Sequence, residues 1–315
     1  MTEATTPIAP QYEDALQPGA ARPLPSVEPP AGLKLPLDWN TAREFFAPAY
    51  CASLDRTRPI LTGCYIEHGA TRTVCVGTDT YRLHAVQLTE DAGQYIKYFE
   101  GVPPFAHIVP ARPLMKAHQK QAYVDCTLET CMVDDEVHWR FTRDTDTERT
   151  KHPAAPWLEG AYVNFPKVLP PIPGNQLIAQ FKLTETVREE ATRFAELLKA
   201  TKSCYRCALR EEDGQLQLYT GRWYSEDTGE DALTAMTLSM RIPTEVAPQG
   251  PVTRHLQGVW FAEHIALMAT VTEGSIMRIY AGSSLETIRV CVENKVFRHL
   301  YLQMPMGPPK KTSST

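Results

Sequence analysis

Residue types that carry catalysis are present, but their spacing does not assemble an active site. The sequence has no GxxxxGK[ST] phosphate loop, no GxGxxG dinucleotide loop, no HExxH metal-binding helix and no GxSxG nucleophile turn. Cys204 and Cys207 form a CxxC without a second pair, and because a structural zinc ion needs four ligands, we expect two buried thiols. His264 is expected to be partly exposed in a helix rather than catalytic. These residue patterns predict neither an enzymatic activity nor a metal or cofactor site.

The sequence consists of two halves with similar predicted patterns, and these halves must position any functional site. In each half, apolar periodicity predicts several strands interrupted by two helices, which is an α+β fold with helices packed on antiparallel sheets. Asn40 or Thr41 is the expected cap of the first helix, and Thr186 with Glu189 is the expected capping box of the clearest one. The predicted boundaries are a disordered proline-rich tail at 1–32, domains at 33–175 and 176–308, and a disordered tail at 309–315.

Composition excludes several classes of protein. The 315 residues are 43% hydrophobic, which is long and apolar enough for two cores. No apolar run approaches the roughly 20 residues of a membrane helix, so no membrane partner is expected. Without a secretory signal and with too few cysteines for a disulfide scaffold, the chain is expected to be cytoplasmic with reduced thiols. The net charge of −5 still allows a local basic face.

One stretch is far more specific than these patterns. RPILTGCYIE, followed shortly by VGTDTYRLHAVQL, predicts two paired strands and a tight connection. From Arg58 to Ala85 the order and spacing resemble the middle domain of the bacterial DNA polymerase III beta subunit, the sliding clamp. Further stretches resemble the same family in the same order: IVPARPLMK at 108–116, EGAYVNFPKVLPPIP at 159–173 and YLQMPM at 301–306. The resemblance implies two DNA-clamp-type domains and a processivity factor in DNA replication that encircles duplex DNA.

The resemblance also implies a pocket between the two domains. In this family the pocket accepts a short, mostly apolar motif of a DNA polymerase or of the clamp loader. Carried over residue by residue, its wall consists of Leu61, Thr78, Thr80, Tyr81, Arg82, Leu83, Lys167, Val168, Leu302, Met304, Pro305 and Met306. Methionine side chains adapt to varied partners, which suits such a site. Asp79 is expected to brace the turn or to pair with Arg82.

A clamp further needs a basic inner face that contacts the phosphates of double-stranded DNA without reading bases. The candidates lie in or beside the predicted helices: Arg43, Arg56, Arg58, Lys116, Lys120, Arg188, Arg193, Lys199 and Lys202. The alternative is that each belongs to the solvated face of an amphipathic helix. Arg193 and Lys199, for example, have glutamates nearby for pairing within the helix.

Departures from the family bear on assembly. A bacterial beta clamp has three similar domains, and this sequence resembles only the second and third, so the first is expected to be absent. Val163 stands where the family usually has proline, and Gly307 and Pro308 replace its usual final Arg-Leu. A six-domain ring would then need three chains, which favours a homo-oligomeric trimer over a monomer or dimer. A recruitment module without a ring, acting in replication or repair, is the alternative.

Overall fold

A computed structural model describes residues 23–69, 72–89, 99, 101–118, 125–145, 154–168, 176–201, 206–212, 214–220, 238–245, 254–282 and 287–306. The strands are β1 Lys34–Leu37, β2 Gly63–His68, β3 Thr73–Thr78, β4 Arg82–Leu88, β5 Phe105–Pro110, β6 Cys126–Val133, β7 Glu136–Arg143, β8 Ala155–Pro156, β9 Gln176–Lys182, β10 Arg206–Glu212, β11 Gln215–Tyr219, β12 Ser239–Pro243, β13 Arg254–Gln257, β14 Ile276–Ala281, β15 Ile288–Glu293 and β16 Phe297–Gln303. The α-helices are α1 Trp39–Phe45, α2 Ala111–Leu114, α3 Phe165–Val168, α4 Glu185–Thr201 and α5 Gly258–Val271. Short 3-10 helices span Ala47–Cys51, Pro59–Thr62 and Met115–His118.

The strands form antiparallel sheets. Each half of the chain contains two copies of one unit, which consists of a strand, a helix and three further strands. In each half, the first strand of one unit joins the three later strands of the other, giving the orders β1-β6-β7-β8 and β12-β11-β10-β13. The remaining strands form one sheet across both halves, in the order β5-β2-β3-β4-β16-β15-β14-β9. The predicted α+β class, with helices on antiparallel sheets, is confirmed.

The two halves meet where β4 pairs with β16. The register runs from Arg82 opposite Gln303 to Leu88 opposite Phe297, so the main-chain ladder is continuous across the joint. Helix α1 of the first half also contacts α5, which packs along α4 in the second half. We call the paired strands β4 and β16, together with the adjoining contact between α1 and α5, the joint. A site that lies here takes its walls from positions far apart in sequence.

Helix α4 forms because apolar residues recur on one face. Ala191, Phe194, Ala195 and Leu198 are buried against α5 and the sheet, at the spacing that one helical face requires. The helix begins at Glu185, and the hydroxyl of Thr184 accepts the backbone N–H of Val187 at 3.3 Å. The expected Thr186–Glu189 box therefore lies within the helix, and its capping role was wrong.

Helix α1 begins two or three residues earlier than the sequence predicts. Oδ1 of Asp38 accepts the backbone N–H groups of Asn40 and Thr41 at 2.9 and 3.0 Å, so Asp38 is the cap. No helix in the described part of the chain is long and apolar enough to cross a membrane.

Part of the expected N-terminal tail is packed, which corrects the boundary at residue 32. Ser26 exchanges backbone hydrogen bonds with Gly160, and its hydroxyl accepts the N–H of Ile108 at 3.0 Å. The N–H of Leu24 donates to the hydroxyl of Tyr65 at 3.0 Å. These bonds hold residues 23–32 against the first half. Residues 1–22, the C-terminal tail at 309–315 and the domain boundary at 175 lie outside the described residues.

Candidate functional site

A cavity of about 410 Å³ opens at the joint. Leu83 of β4 and Leu302 of β16 are directly opposite each other in the register, and each is only 4% exposed. Around them, large apolar side chains remain open to solvent: Tyr81 is 64%, Val168 52% and Met304 51% exposed. Because exposed apolar side chains around a recess favour apolar ligands, this arrangement suits an apolar partner.

The turn before β4 fixes one side of the cavity. Oδ1 of Asp79 accepts the backbone N–H groups of Tyr81 and Arg82, both at 2.9 Å, and Oδ2 accepts Nε of Arg82 at 2.9 Å. Thr80 has a φ of 80°, a left-handed conformation that is strained for a β-branched residue. The Asp79 interactions offset this strain, as the expected brace would. The carbonyl of Tyr81 accepts the N–H of Met304 at 2.8 Å, which ties the turn to the end of β16.

Arg82 also separates the cavity from a second recess. Its guanidinium lies 4.7 Å from the centre of the Trp260 ring, a cation–π contact with α5. On that side a cleft of about 340 Å³ is lined by Tyr50, Cys51, Trp260 and Lys199, among other residues. Burial raises the pKa of the Cys51 thiol to about 12, and the nearby positive charge of Arg82 only partly opposes this. The Cys51 thiol is therefore protonated and unreactive at neutral pH.

Most of the predicted pocket residues meet at this one cavity. Eight of the twelve predicted positions line it: Thr78, Thr80, Tyr81, Arg82, Leu83, Val168, Leu302 and Met304. The other four do not line it. Leu61 is buried in the 3-10 helix Pro59–Thr62, Lys167 is exposed on α3, and Pro305 and Met306 are half-buried beyond Met304.

Sequence reasoning missed two lining residues and one neighbour. Val163 and Thr287 also line the cavity, and the hydroxyl of Thr287 lies 3.4 Å from Sδ of Met304. No sequence signal indicated Thr287, because it adjoins Met304 only through the strand register in which Ile288 pairs with Gln303. Trp260 lies beside Tyr81, with ring centroids 6.3 Å apart, through a helix contact that no motif indicated.

The DNA-contact candidates are arranged differently. On α4, Arg193 pairs with Glu190 at 2.6 Å, and Lys199 pairs with Glu263 of α5 at 2.6 Å. Arg188 likewise pairs with Glu185. These pairings match the alternative interpretation as solvated helix faces.

The remaining candidates lie in the first half or outside the described residues. Arg56 and Arg58 are exposed in the loop after the 3-10 helix Ala47–Cys51, and neither is in a salt bridge with a described residue. Arg43 and Lys116 are half-buried. Lys120 and Lys202 are not among the described residues.

His264 differs from its prediction. It is 5% exposed rather than partly exposed, because α5 is covered on several sides by α4, by the sheet and by the joint. Its ring stacks on that of Tyr301 with centroids 3.8 Å apart.

Solved structures of similar fold are bacterial sliding clamps. The DNA polymerase III subunit beta of Pseudomonas aeruginosa matches with a TM-score of 0.60 and 15% identity, over 90% of this chain and 69% of that one. The beta chain of Streptococcus pneumoniae matches with a TM-score of 0.60 and 16% identity, over 90% and 67% of the two chains. The beta subunit of Streptococcus pyogenes gives 0.59 and 15%, over 92% and 69%. No protein-family model matches the sequence, and no curated protein does. The chain therefore has the fold of the bacterial DNA polymerase III beta sliding clamps.

Proposed function

We propose that this protein is a clamp-type binding factor that holds a DNA polymerase, or another replication partner, by a short apolar peptide in the joint cavity. The observation that carries this proposal is the convergence of Leu83, Leu302 and the exposed Tyr81, Val168 and Met304 on one cavity of about 410 Å³. Cavities of roughly 300–1,000 Å³ are typical of ligand sites. The fold of the similar solved structures supports a clamp-like role.

The cavity suits a peptide with two adjacent large apolar residues. Most of its lining is apolar, and the polar side chains that line it belong to Thr78, Thr80, Arg82 and Thr287. Such groups fix the orientation of a bound main chain, whereas the apolar lining supplies the affinity. A short peptide buries little area, so the expected dissociation constant is on the order of micromolar.

A fluorescence titration with a labelled peptide of the QLxLF kind tests the proposal. The variant Leu83→Ala with Met304→Ala should weaken binding about tenfold or more, because central apolar anchors dominate such sites. Met132→Ala is the matched control, since Met132 is similarly exposed but lies at the end of β6, away from the cavity. Equal affinity of the wild type and the double variant would contradict the proposal.

We further propose that copies of the chain close into a ring on double-stranded DNA. The internal repeat supports this, because β8 and β12 are the counterparts of β4 and β16 in their units and form outer edges of their sheets. Open sheet edges favour pairing with another chain. If each copy contributes two clamp-type halves, six halves require three copies, which gives a trimer with head-to-tail contacts.

Light scattering distinguishes the assemblies. A species near three times 35.3 kDa that stays on circular but not on linear DNA supports the ring. A mass of 35.3 kDa at every concentration would contradict it.

A recruitment module without a ring is the second candidate, and the ion pairs on α4 favour it. Cations that are already paired with Glu185, Glu190 and Glu263 contribute less to phosphate binding. A ring that slides should bind duplex DNA without sequence preference and lose affinity steeply with salt. Peptide binding without any affinity for DNA would favour the recruitment module.

A further inference from the structure

Three histidines from both halves are buried together at the joint. His84 of β4, His299 of β16 and His264 of α5 are 0%, 2% and 5% exposed. The ring centroid of His84 lies 5.0 Å from that of His264 and 5.5 Å from that of His299. Nε2 of His84 is 3.3 Å from Nδ1 of His299. We call these three residues the histidine cluster.

One carboxylate serves this cluster. Oε1 of Glu44 on α1 lies 2.8 Å from Nε2 of His299 and also accepts Nδ2 of Asn294 at 2.5 Å. Nε2 of His264 is buried and has no hydrogen-bond partner among the described residues. No second carboxylate in the described part of the chain is hydrogen-bonded to the cluster.

Among the described residues, Asp79 and Glu263 act on Tyr301, which stacks on His264, but neither carboxylate shifts the pKa of His84 or His264. Arg82 of β4 acts on His264 as a cation, and His118 of the 3-10 helix Met115–His118 acts on His84 in the same sense when protonated. The hydroxyl of Tyr301, on β16, donates to Oε1 of Gln303 at 2.7 Å. The backbone of Ala47 favours the protonated form of His84 slightly, but burial outweighs it, and Nδ1 of His84 has no hydrogen-bond partner among the described residues.

Burial therefore keeps His84 and His264 neutral at physiological pH. It lowers the pKa of His84 well below 6.5, and the neighbouring His264 and His299 lower it further. It lowers the pKa of His264 well below 6.5 too, with smaller contributions from His299 and Arg82. In the unfolded chain both histidines titrate near 6.5. Their contribution to stability is thus complete above about pH 6.5 and declines as the pH falls below it.

The same strands carry the cluster and the cavity floor. His84 follows Leu83 on β4, and Tyr301, which stacks on His264, precedes Leu302 on β16. Successive side chains of a strand point to opposite faces, so the imidazoles lie behind the cavity wall. We propose that the histidine cluster makes the joint sensitive to acid and that the peptide cavity loses affinity when acid weakens the joint. The part that concerns the cavity rests on the proposed function.

Urea unfolding of the full chain at pH 7.5 and 5.5 tests the joint. Each histidine that titrates only when unfolded raises the unfolding equilibrium constant about tenfold over this interval. From pH 7.5 to pH 5.5, the unfolding equilibrium constant of the wild type should therefore rise about a hundredfold more than that of the variant His84→Gln with His264→Gln. His138→Gln on β7, outside the cluster, is the control and should behave as the wild type does. Equal pH dependence of the wild type and the double variant would overturn the proposal.

A second measurement needs no variant. In the nuclear magnetic resonance spectrum of the wild type, the ring signals of His84 and His264 should stay in the neutral form until the protein unfolds. Ordinary titration of both rings near pH 6.5 in the folded protein would overturn the proposal, even if the double variant does not fold.

Peptide titration at both pH values then tests the link to the cavity. A peptide without ionisable side chains should bind the wild type more weakly at pH 5.5 than at pH 7.5, and the double variant equally at both. Unchanged affinity of the wild type would show that peptide binding in the cavity does not depend on the histidine cluster. Absence of binding at either pH counts against the proposed function, whereas the unfolding result still decides the role of the histidines.

Discussion

The joint cavity and the charged face of α4 follow from the same resemblance, yet they are organised differently. In the cavity, Leu83 and Leu302 come from positions far apart in sequence and are held opposite each other by one strand pairing. On α4, Arg193 is paired within its own helix, with Glu190. The cavity is thus built by tertiary structure, whereas the charges on α4 are largely neutralised locally. The comparison indicates that peptide binding has the stronger structural basis of the two proposed activities.

The largest expected effect concerns the strand that leads into the cavity turn. A Cβ atom at Gly77 would lie 2.0 Å from the carbonyl oxygen of Pro48, and backbone atoms cannot yield easily. Gly77→Ala should lower the free energy of unfolding by about 3 kcal/mol or more. Gly69→Ala is the control, since no atom lies within 4 Å of its added Cβ. Similar urea midpoints for the two variants would show that the backbone around Gly77 and Pro48 can move to accommodate the added methyl group.

The next effect concerns the turn itself. Asp79→Ala removes the acceptor of two backbone N–H groups and the partner of Arg82. We expect a loss of about 1–3 kcal/mol in the free energy of unfolding, together with weaker peptide binding. Asp55→Ala removes a similar hydrogen bond from an exposed loop, where Oδ1 accepts the N–H of Thr57 at 2.9 Å, and should lower the free energy of unfolding much less than Asp79→Ala does. If Asp79→Ala leaves peptide affinity intact, the turn does not position the cavity wall.

A smaller effect distinguishes the exposed cations from the cavity. Arg56→Glu with Arg58→Glu should leave the unfolding free energy within about 0.5 kcal/mol of the wild type, because both side chains are exposed. Affinity for duplex DNA, measured by fluorescence anisotropy at low salt, should fall on every sequence alike. Peptide affinity should not change. A fall in peptide affinity of similar size would show that the two regions are not independent.

The smallest effect concerns the pairing on α4. Glu190→Gln frees Arg193 and should change the unfolding free energy by no more than about 0.5 kcal/mol, since exposed pairs contribute little. If α4 faces DNA, the freed charge should raise duplex affinity about twofold at low salt and make it more salt-dependent. Unchanged DNA affinity would leave α4 as a solvated face.

Much of the fold was predictable because its strands and helices have strong periodicity. The alternation in β1 and the apolar face of α4 gave the correct element types, whereas the helix caps were misplaced by two or three residues. Several side chains can cap a helix start, and only the backbone geometry selects Asp38 over Asn40 or Thr41.

The candidate site was predictable to the extent that motifs encode it. The residues of the turn and of β16 were identified from short stretches, and they line one cavity. Thr287 and Trp260 were missed because their proximity depends on strand register and helix packing. His264 was predicted to be partly exposed because a helix in isolation shows one polar face, whereas that face is covered by Tyr301 of its own half and by His84 of the other half.

The position of β16 in the chain has a consequence for synthesis on the ribosome. β16 is the last described strand, and it pairs with β4, which emerges some two hundred residues earlier. Until β16 leaves the exit tunnel, β4 presents an unpaired edge, and the nascent first half is exposed to association with other chains. The joint is therefore completed only after β16 has been synthesised, which makes this non-local pairing a slow step in folding.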